Sequence, residues 1–349
     1  MPETVAPGTP AHPDLNGDLS HLAAAFGIGD IHGQEYLPAG LMNRNWRVTA
    51  SGGDYALKQI IDVPLATARR NLRVVTALVG EGVPTCPPVL GAAGDPVVEV
   101  GNRGYCLLPW LEGDHLAGPD LTLDQARQFG QVLGQVHDRL DRIGRRVGLP
   151  AAPAKLSGRT IEPAAALLEL DRFQAAARSG GTSFDEAVVE LLDRRRVLID
   201  KYAELRPASA LVQGRIGWTH GDMQHRNVIW LNGIIRAVID WDRIRVRPLA
   251  EEVARTVTIV FGAEQGRLDL ARASAFVSGY RAVVPLPVDD LADGVRRLWW
   301  KRMSDFWHLD FHYDRGDHSC DPLFLTSEAF LGWWTEHRAE VEDAFSAQP

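Results

Sequence analysis

The sequence predicts an α+β protein of two lobes, a small antiparallel β-sheet lobe followed by a larger, mostly helical one. Three observations predict it. At 349 residues the chain is too long for one small core and suits two. Its first third carries short strand-like runs broken by turn residues, with Ser51-Gly52-Gly53-Asp54 between two of them. Beyond residue 113 the apolar residues recur at helical spacing instead.

Residues 1–18 are rich in Pro, Gly and polar side chains, lack an apolar h-region, and read as a disordered tail, not a signal peptide. Residues 19–26 suit a short helix. Residues 35–39, 46–50 and 55–60 read as strands, the last two joined by a hairpin turn. Leu65, Ala68, Leu72, Val75 and Val79 mark an amphipathic helix, closed by Gly80-Glu81-Gly82 and a run containing Pro84, Pro87 and Pro88. Strands at 97–100 and 105–108 complete a five-stranded lobe over residues 19–107, and residues 108–113 form a hinge. Residues 114–349 make the helical lobe. Thr122 and Gln125 form a capping-box signature ahead of Ala126, Phe129, Leu133, Val136 and Leu140. Ser183 and Glu186 repeat the signature for a helix reaching about residue 205. Loops at 148–158 and 179–182 separate these helices, and the chain from Leu268 onward is helical and aromatic-rich. No internal repeat is present.

The net charge of −8 argues against a general nucleic-acid binder. Residues 301–349 hold ten acids against four bases, so most of that charge lies there. As a pocket wall they would favour a cationic substrate; as solvated helix surface they would mean little. Cys86, Cys106 and Cys320 are few, odd in number and far apart, which suggests neither a disulfide framework nor a Cys-rich zinc site. No apolar run is long enough for a bilayer, and a cytoplasmic protein is expected.

The segment with chemistry runs from His220 to Asp240. A short strand, 216–219, ends at His220-Gly221-Asp222; a loop through Asn227 leads to a second strand, 228–231. Asn232-Gly233 is a strong two-residue hairpin signal, and the strand returning over 234–239 ends in Asp240. With that turn Leu231 faces Ile234, Val228 faces Ala237, and Asn227 falls opposite Val238. The hairpin thus returns Asp240 to the loop of Asp222 and Asn227. Carboxylate and amide oxygens at loop ends suit Mg²⁺, and Asp222 is placed to accept a hydroxyl proton.

His220-Gly221-Asp222, Asn227 five residues after Asp222, and Ile239-Asp240-Trp241-Asp242 together resemble the signature of the aminoglycoside phosphotransferase superfamily. That group includes choline and homoserine kinases and is related to the protein kinases. The resemblance extends over residues 30–340 and is specific over 216–255. It implies a bilobal protein-kinase-like fold, ATP and Mg²⁺ as cofactors, Asp222 as catalytic base, and Asn227 and Asp240 as metal ligands. It implies His220 as organiser of the loop, and Glu252, twelve residues after Asp240, as its brace. The loop with Gly40, Asn43 and Asn45 resembles a nucleotide-covering loop, and Lys58 matches the strand lysine that contacts the α/β phosphates. Leu108 and Trp110 match the hinge that receives adenine, and His137 matches a family histidine buried against the catalytic loop. One part departs from the pattern. The following helix, 63–80, holds no acid to pair with Lys58, and Asn71 or Arg73 stands at the expected position.

These expectations give an ATP-dependent kinase acting on a hydroxyl of a small acceptor. The twelve residues from Asp240 to Glu252 leave no room for the activation segment of a protein kinase. An amino-sugar or sugar-containing antibiotic ranks first as acceptor, which would make the enzyme a resistance determinant; homoserine, choline or ethanolamine-like amino alcohols follow. The alternative is a non-catalytic nucleotide-binding pseudokinase, motivated by the missing helix acid. Gly27, Gly29 and Gly33 resemble a dinucleotide fingerprint, but they follow a helix and their spacing is one residue too long. His308, His312 and His318 suggest a metal-dependent hydrolase, although no third ligand or base is fixed by spacing.

Overall fold

The computed structural model describes residues 15–38, 42–207, 211–212, 214–262 and 265–349. The first lobe is an antiparallel sheet of β1 (Ile31–Leu37), β2 (Arg44–Ala50), β3 (Gly53–Ile60), β4 (Val98–Val100) and β5 (Arg103–Pro109), in the order β1-β2-β3-β5-β4. One face packs Trp46, Val48, Leu57, Tyr105 and Leu107 against Leu22 and Phe26 of α1 (Asn16–Phe26). That helix begins inside the stretch expected to be a tail. Asp18 anchors it, buried and accepting hydrogen bonds from Tyr105 Oη and Arg103, both at 2.5 Å. The helix α2 (Leu65–Gly80) turns Ala68 and Leu72 to the other face of the sheet, while Val74, Val75 and Leu78 reach into the core of the second lobe.

In the second lobe α3 (Leu123–Ile143) starts with the expected capping box, Thr122 and Gln125 exchanging bonds of 2.9 and 3.2 Å. The next box lies one residue earlier than expected. Thr182, not Ser183, caps the helix over 183–202, and Asp185 is its partner, because Thr182 holds the extended backbone that a cap requires. This α5 (Ser183–Tyr202) pairs with α4 (Pro163–Gly180). The remaining helices are α6 (Leu249–Phe261), α7 (Leu270–Arg281), α8 (Val288–Ser304), α9 (Trp307–Leu309, running into a wide turn over Asp310–Asp314), α10 (Asp321–Glu336) and α11 (Arg338–Ala344). α3 and α7 cross with backbones touching: a Cβ at Gly130 would lie 1.9 Å from the Phe276 carbonyl, and one at Gly279 2.0 Å from that of Arg127. Among the described residues no helix is long and apolar enough to cross a membrane.

Two short ladders present the chemistry. β6 (Ile216–Thr219) pairs with β9 (Arg245–Pro248), and β7 (Val228–Leu231) with β8 (Ile234–Val238). Asn232 and Gly233 make the turn with φ of 52° and 78°, and Leu231 faces Ile234 as expected. The register then slips. A bulge at Arg236 sets Ile229 opposite Ala237 and Val228 opposite Val238, where Val228 was expected opposite Ala237 and Asn227 opposite Val238.

Candidate active site

The loop after β6 is braced from beneath. Gly221 takes φ +87°, and a Cβ there would lie 1.9 Å from the Arg243 carbonyl, so only glycine admits the turn. His220 donates from Nε2 to the Ile239 carbonyl (3.0 Å) and accepts from the Asp222 N–H at Nδ1 (3.3 Å), which assigns the Nε2-protonated tautomer. Glu252 on α6 is 2% exposed and accepts from the N–H groups of His220 and Gly221 and from His137 Nε2 at 2.7 Å. Burial alone would raise its pKa. The bonds from His137 and Gly221 outweigh that and hold it below the ordinary glutamate value. His220 and Glu252 are thus supports, and His137, bonded to Tyr280 on its other nitrogen, belongs with them.

Asp222 sits above this floor with both oxygens engaged. Oδ1 pairs with Arg255 Nη2 at 2.7 Å, and Oδ2 accepts from Gln224 (3.0 Å) and Asn227 (3.3 Å). Asn227 also donates to the Asp222 carbonyl at 2.8 Å, which spends its amide nitrogen and leaves its oxygen for another partner. Across the cavity Asp240 follows β8 in the left-handed region, φ 62° and ψ 64°. Its Oδ1 receives the Lys58 ammonium at 2.7 Å, and Asp242 Oδ2 receives the same group at 3.0 Å. Burial would raise the pKa of Asp240, but Lys58 holds it low; burial and Asp240 push that of Asp242 up. Lys58 itself is pushed above the usual lysine range, the two carboxylates outweighing its desolvation.

Lys58 thus finds its acids on the loop after β8 and not on α2. Asn71 on α2 is buried and donates to the carbonyls of Trp241 (3.0 Å) and Asp242 (2.9 Å), so the helix grips the backbone of the acid loop while Lys58 takes carboxylates from that loop. Replacing Asn71 with alanine strands both carbonyls. A loss of about 1–3 kcal/mol is expected, visible as a lower urea midpoint with unchanged slope.

Lys58, Asn71, Asp222, Asn227, Asp240, Asp242 and Arg255 open on one cavity of about 1160 Å³ between the lobes. At its first-lobe end lie Asn45, Lys58, Leu108 and Trp110. Asn43 lines it too, but its amide is a strut: it donates to Asp242 (2.7 Å) and caps the N–H groups of Ile61 and Asp62. Gly40 lies outside the described residues. The Trp110 N–H is spent on the Asp54 carbonyl at 2.9 Å and does not serve a ligand. Sequence reasoning missed Gln224, Arg255 and Asp242, of which Asp242 had a signal, two residues past Asp240 in the quoted motif; it set Asn71 or Arg73 at the position of the expected acid without the role that Asn71 plays.

The C-terminal region contributes to the cavity wall, but its acids mostly do not. Of its ten acids only Asp305 lines the cavity, beside Lys301 and Arg302. Asp310 and Asp314 pair with Arg172, Glu342 with Arg296 and Glu328 with Arg195. The three histidines are not brought together. His308 lines the cavity near Ser327, whereas His312 and His318 sit with Asp321 in a separate cluster, His312 Nδ1 at 2.9 Å from the carboxylate. The cysteines are buried and unbridged.

The chain is similar in sequence and fold to known kinases of small molecules. A homoserine kinase from Methylobacillus glycogenes is 23% identical over 311 residues, covering 86% of this chain and 88% of that protein. An amicoumacin kinase solved with AMP-PNP, Ca²⁺ and Ami superposes with a TM-score of 0.61 at 18% identity, covering 95% of this chain and 94% of that one. A spectinomycin phosphotransferase solved with ADP and spectinomycin gives 0.60 at 17% identity, covering 95% and 97%. The bilobal kinase-like fold is therefore shared with small-molecule kinases. The model of one phosphotransferase enzyme family matches residues 34–286, a span that holds Lys58, Asp222, Asn227, Asp240 and Glu252, and the chain belongs to that family.

Proposed function

We propose that this protein transfers the γ-phosphoryl group of ATP to a hydroxyl of a small molecule, with Mg²⁺ as cofactor and Asp222 as base. The observation that carries the reading is the convergence of Asp222, Asn227, Asp240 and Lys58 on one interlobe cavity. ATP and a divalent cation are further supported by the AMP-PNP, Ca²⁺ and ADP of the similar structures. The donor set fits a hard cation, since Asp240 and the amide oxygen of Asn227 are oxygen ligands of the kind Mg²⁺ takes. Bound there, Mg²⁺ would supply neutralising charge to the phosphate oxygens.

The chain's own groups do the rest. Lys58 contributes the cationic contact for the inner phosphates. Asp222 accepts the proton of the acceptor hydroxyl, while Gln224 and Asn227 fix the carboxylate's direction. His220 and Glu252 keep the loop in shape, so catalysis is mostly positioning. The pseudokinase alternative loses its motive, because Lys58 has carboxylate partners without a helix glutamate. The acidic tail lends no support to a cationic acceptor, because of its ten acids only Asp305 lines the cavity. A cytoplasmic site of action suits an ATP consumer and stays part of the proposal.

The test is ADP release by the full chain with Mg²⁺ over a panel of hydroxylated amino acids, hydroxy acids, sugars, amino sugars and amino alcohols. One class should raise the rate well above the water background. Lys58→Met should raise KM for ATP by about tenfold or more, the value of one charge-assisted hydrogen bond. A flat panel, or a Lys58→Met enzyme with unchanged KM, would sink the reading.

A further inference from the structure

The end of the cavity beyond Asp222 is lined by cations. Arg247 and Arg195 have internal partners in Glu251 and Glu328. Arg226, Arg245, Arg255, Lys301 and Arg302 line this end as well, and its acids among the described residues are Asp222, Glu251 and Asp305. They come from the loop before β7, from β9 and from the packed helices α6 and α8, not from the first lobe that holds Lys58.

Arg302 is the informative one. Among the described residues it makes no hydrogen bond and no ion pair; its Nε is buried without a partner, and its guanidinium lies over the face of Phe330, 5.2 Å from the ring centre. A guanidinium offers five N–H donors, and burying one unpaired is costly. Arg255 spends Nη2 on Asp222 and leaves Nη1 buried without a partner. The cations also act on one another. Burial and then Arg255 push the pKa of Arg302 down to about 10, and burial and then Arg247, Arg243 and Arg255 lower that of Arg245. Burial, Arg195 and Arg302 drive His308 down to about 3, so the imidazole in this wall is neutral. Such crowding of like charge costs free energy unless an anion joins it.

We propose that the acceptor carries a small anionic group, a carboxylate or a phosphate, seated by Arg302 and Arg255 beside Asp222. This rests on the reading of Asp222 as the base that meets the acceptor. It makes Arg302 a specificity residue, and it gives Arg255 two tasks, holding Asp222 and meeting the anion. Trp307, partly exposed and stacked on His308 with ring centres 3.8 Å apart, forms the outer wall of the same subsite.

Binding is measured on the full chain with saturating Mg–ADP, so that the nucleotide site is filled, using malonate as the carboxylate probe and inorganic sulfate as the tetrahedral one. Calorimetry and tryptophan fluorescence read the affinity. Arg302→Met keeps an apolar stem over Phe330 and removes the charge; Arg302→Lys restores a charge. At least one probe should bind beside Mg–ADP. Arg302→Met should weaken it about tenfold or more, Arg302→Lys less, with melting temperatures near wild type. In turnover Arg302→Met should raise KM for the acceptor and leave KM for ATP unchanged. Failure of both probes to bind beside Mg–ADP, competition between probe and nucleotide, or a preference for amino sugars overturns the anion subsite. If the probes bind through Arg302 but no acceptor turns over, the subsite stands and the phosphoryl-transfer reading falls. If neutral acceptors turn over and neither probe binds, the reverse holds.

Discussion

Changing Asp222 to asparagine should lower kcat by about 10²- to 10⁴-fold, the range that a positioned general base supplies. The substitution is close to isosteric, and its partners can adapt. An amide oxygen can still accept from Arg255, and Gln224 can turn its own amide to offer an oxygen to the new NH₂ group. Nucleotide affinity and melting temperature should therefore stay near wild type, because neither Lys58 nor the Glu252 floor touches the change. Rate and ADP binding are measured on the same preparation. A kcat within tenfold of wild type would remove Asp222 from the role of base.

The largest loss of stability is expected from Glu252→Ala. Three donors lose their acceptor at once, the N–H groups of His220 and Gly221 and the His137 ring, in a site sealed from water. A cost of about 3–5 kcal/mol follows from stripping one partner out of a buried charged network, and activity should fall with the shape of the loop. Glu252→Gln keeps the volume and part of the bonding, so it should cost less. The pH dependence has a definite sign. Because the folded pKa of Glu252 is held below its unfolded value, its stabilisation is complete above about pH 4.3 and is lost as pH falls through the folded pKa. The gap between wild type and Glu252→Gln in urea unfolding should hold from pH 6 to 8 and narrow in acid. A gap independent of pH would mean that the glutamate acts by shape alone.

Much of the site was legible because it is local. Asn232-Gly233 dictates a tight turn, and a tight turn returns Asp240 to the loop of Asp222 and Asn227 whatever the rest of the chain does. The same reasoning misplaced two pairs, Val228 with Ala237 and Asn227 with Val238, since a bulge at Arg236 leaves no mark that alternation can reveal. Capping showed the same limit: Thr182-Ser183 offers two hydroxyls in a row, and only the backbone angles choose between them. What stayed hidden depends on docking. Asn71 could be set at the position of the expected helix acid, but its grip on two carbonyls appears only when the loop of Asp240–Asp242 is laid against α2. The acids of residues 301–349 suggested a cationic acceptor, but the charge of a segment does not reveal which helix face turns inward. Arg302, one residue past Lys301 on α8, meets the cavity, while Glu342 on α11 meets Arg296.

The Lys58 contact has a thermodynamic corollary. With its ammonium set between Asp240 and Asp242, the protein carries its own counter-ion where a divalent cation is proposed to bind. Free metal must compete with that internal charge, so its affinity without nucleotide should be low. Phosphates that draw Lys58 toward themselves would release the carboxylates, and the two ligands would then bind with positive cooperativity. The coupling must be equal in both directions: whatever factor the nucleotide adds to metal affinity, the metal adds to nucleotide affinity, and a lysine that never touches the metal sets its size.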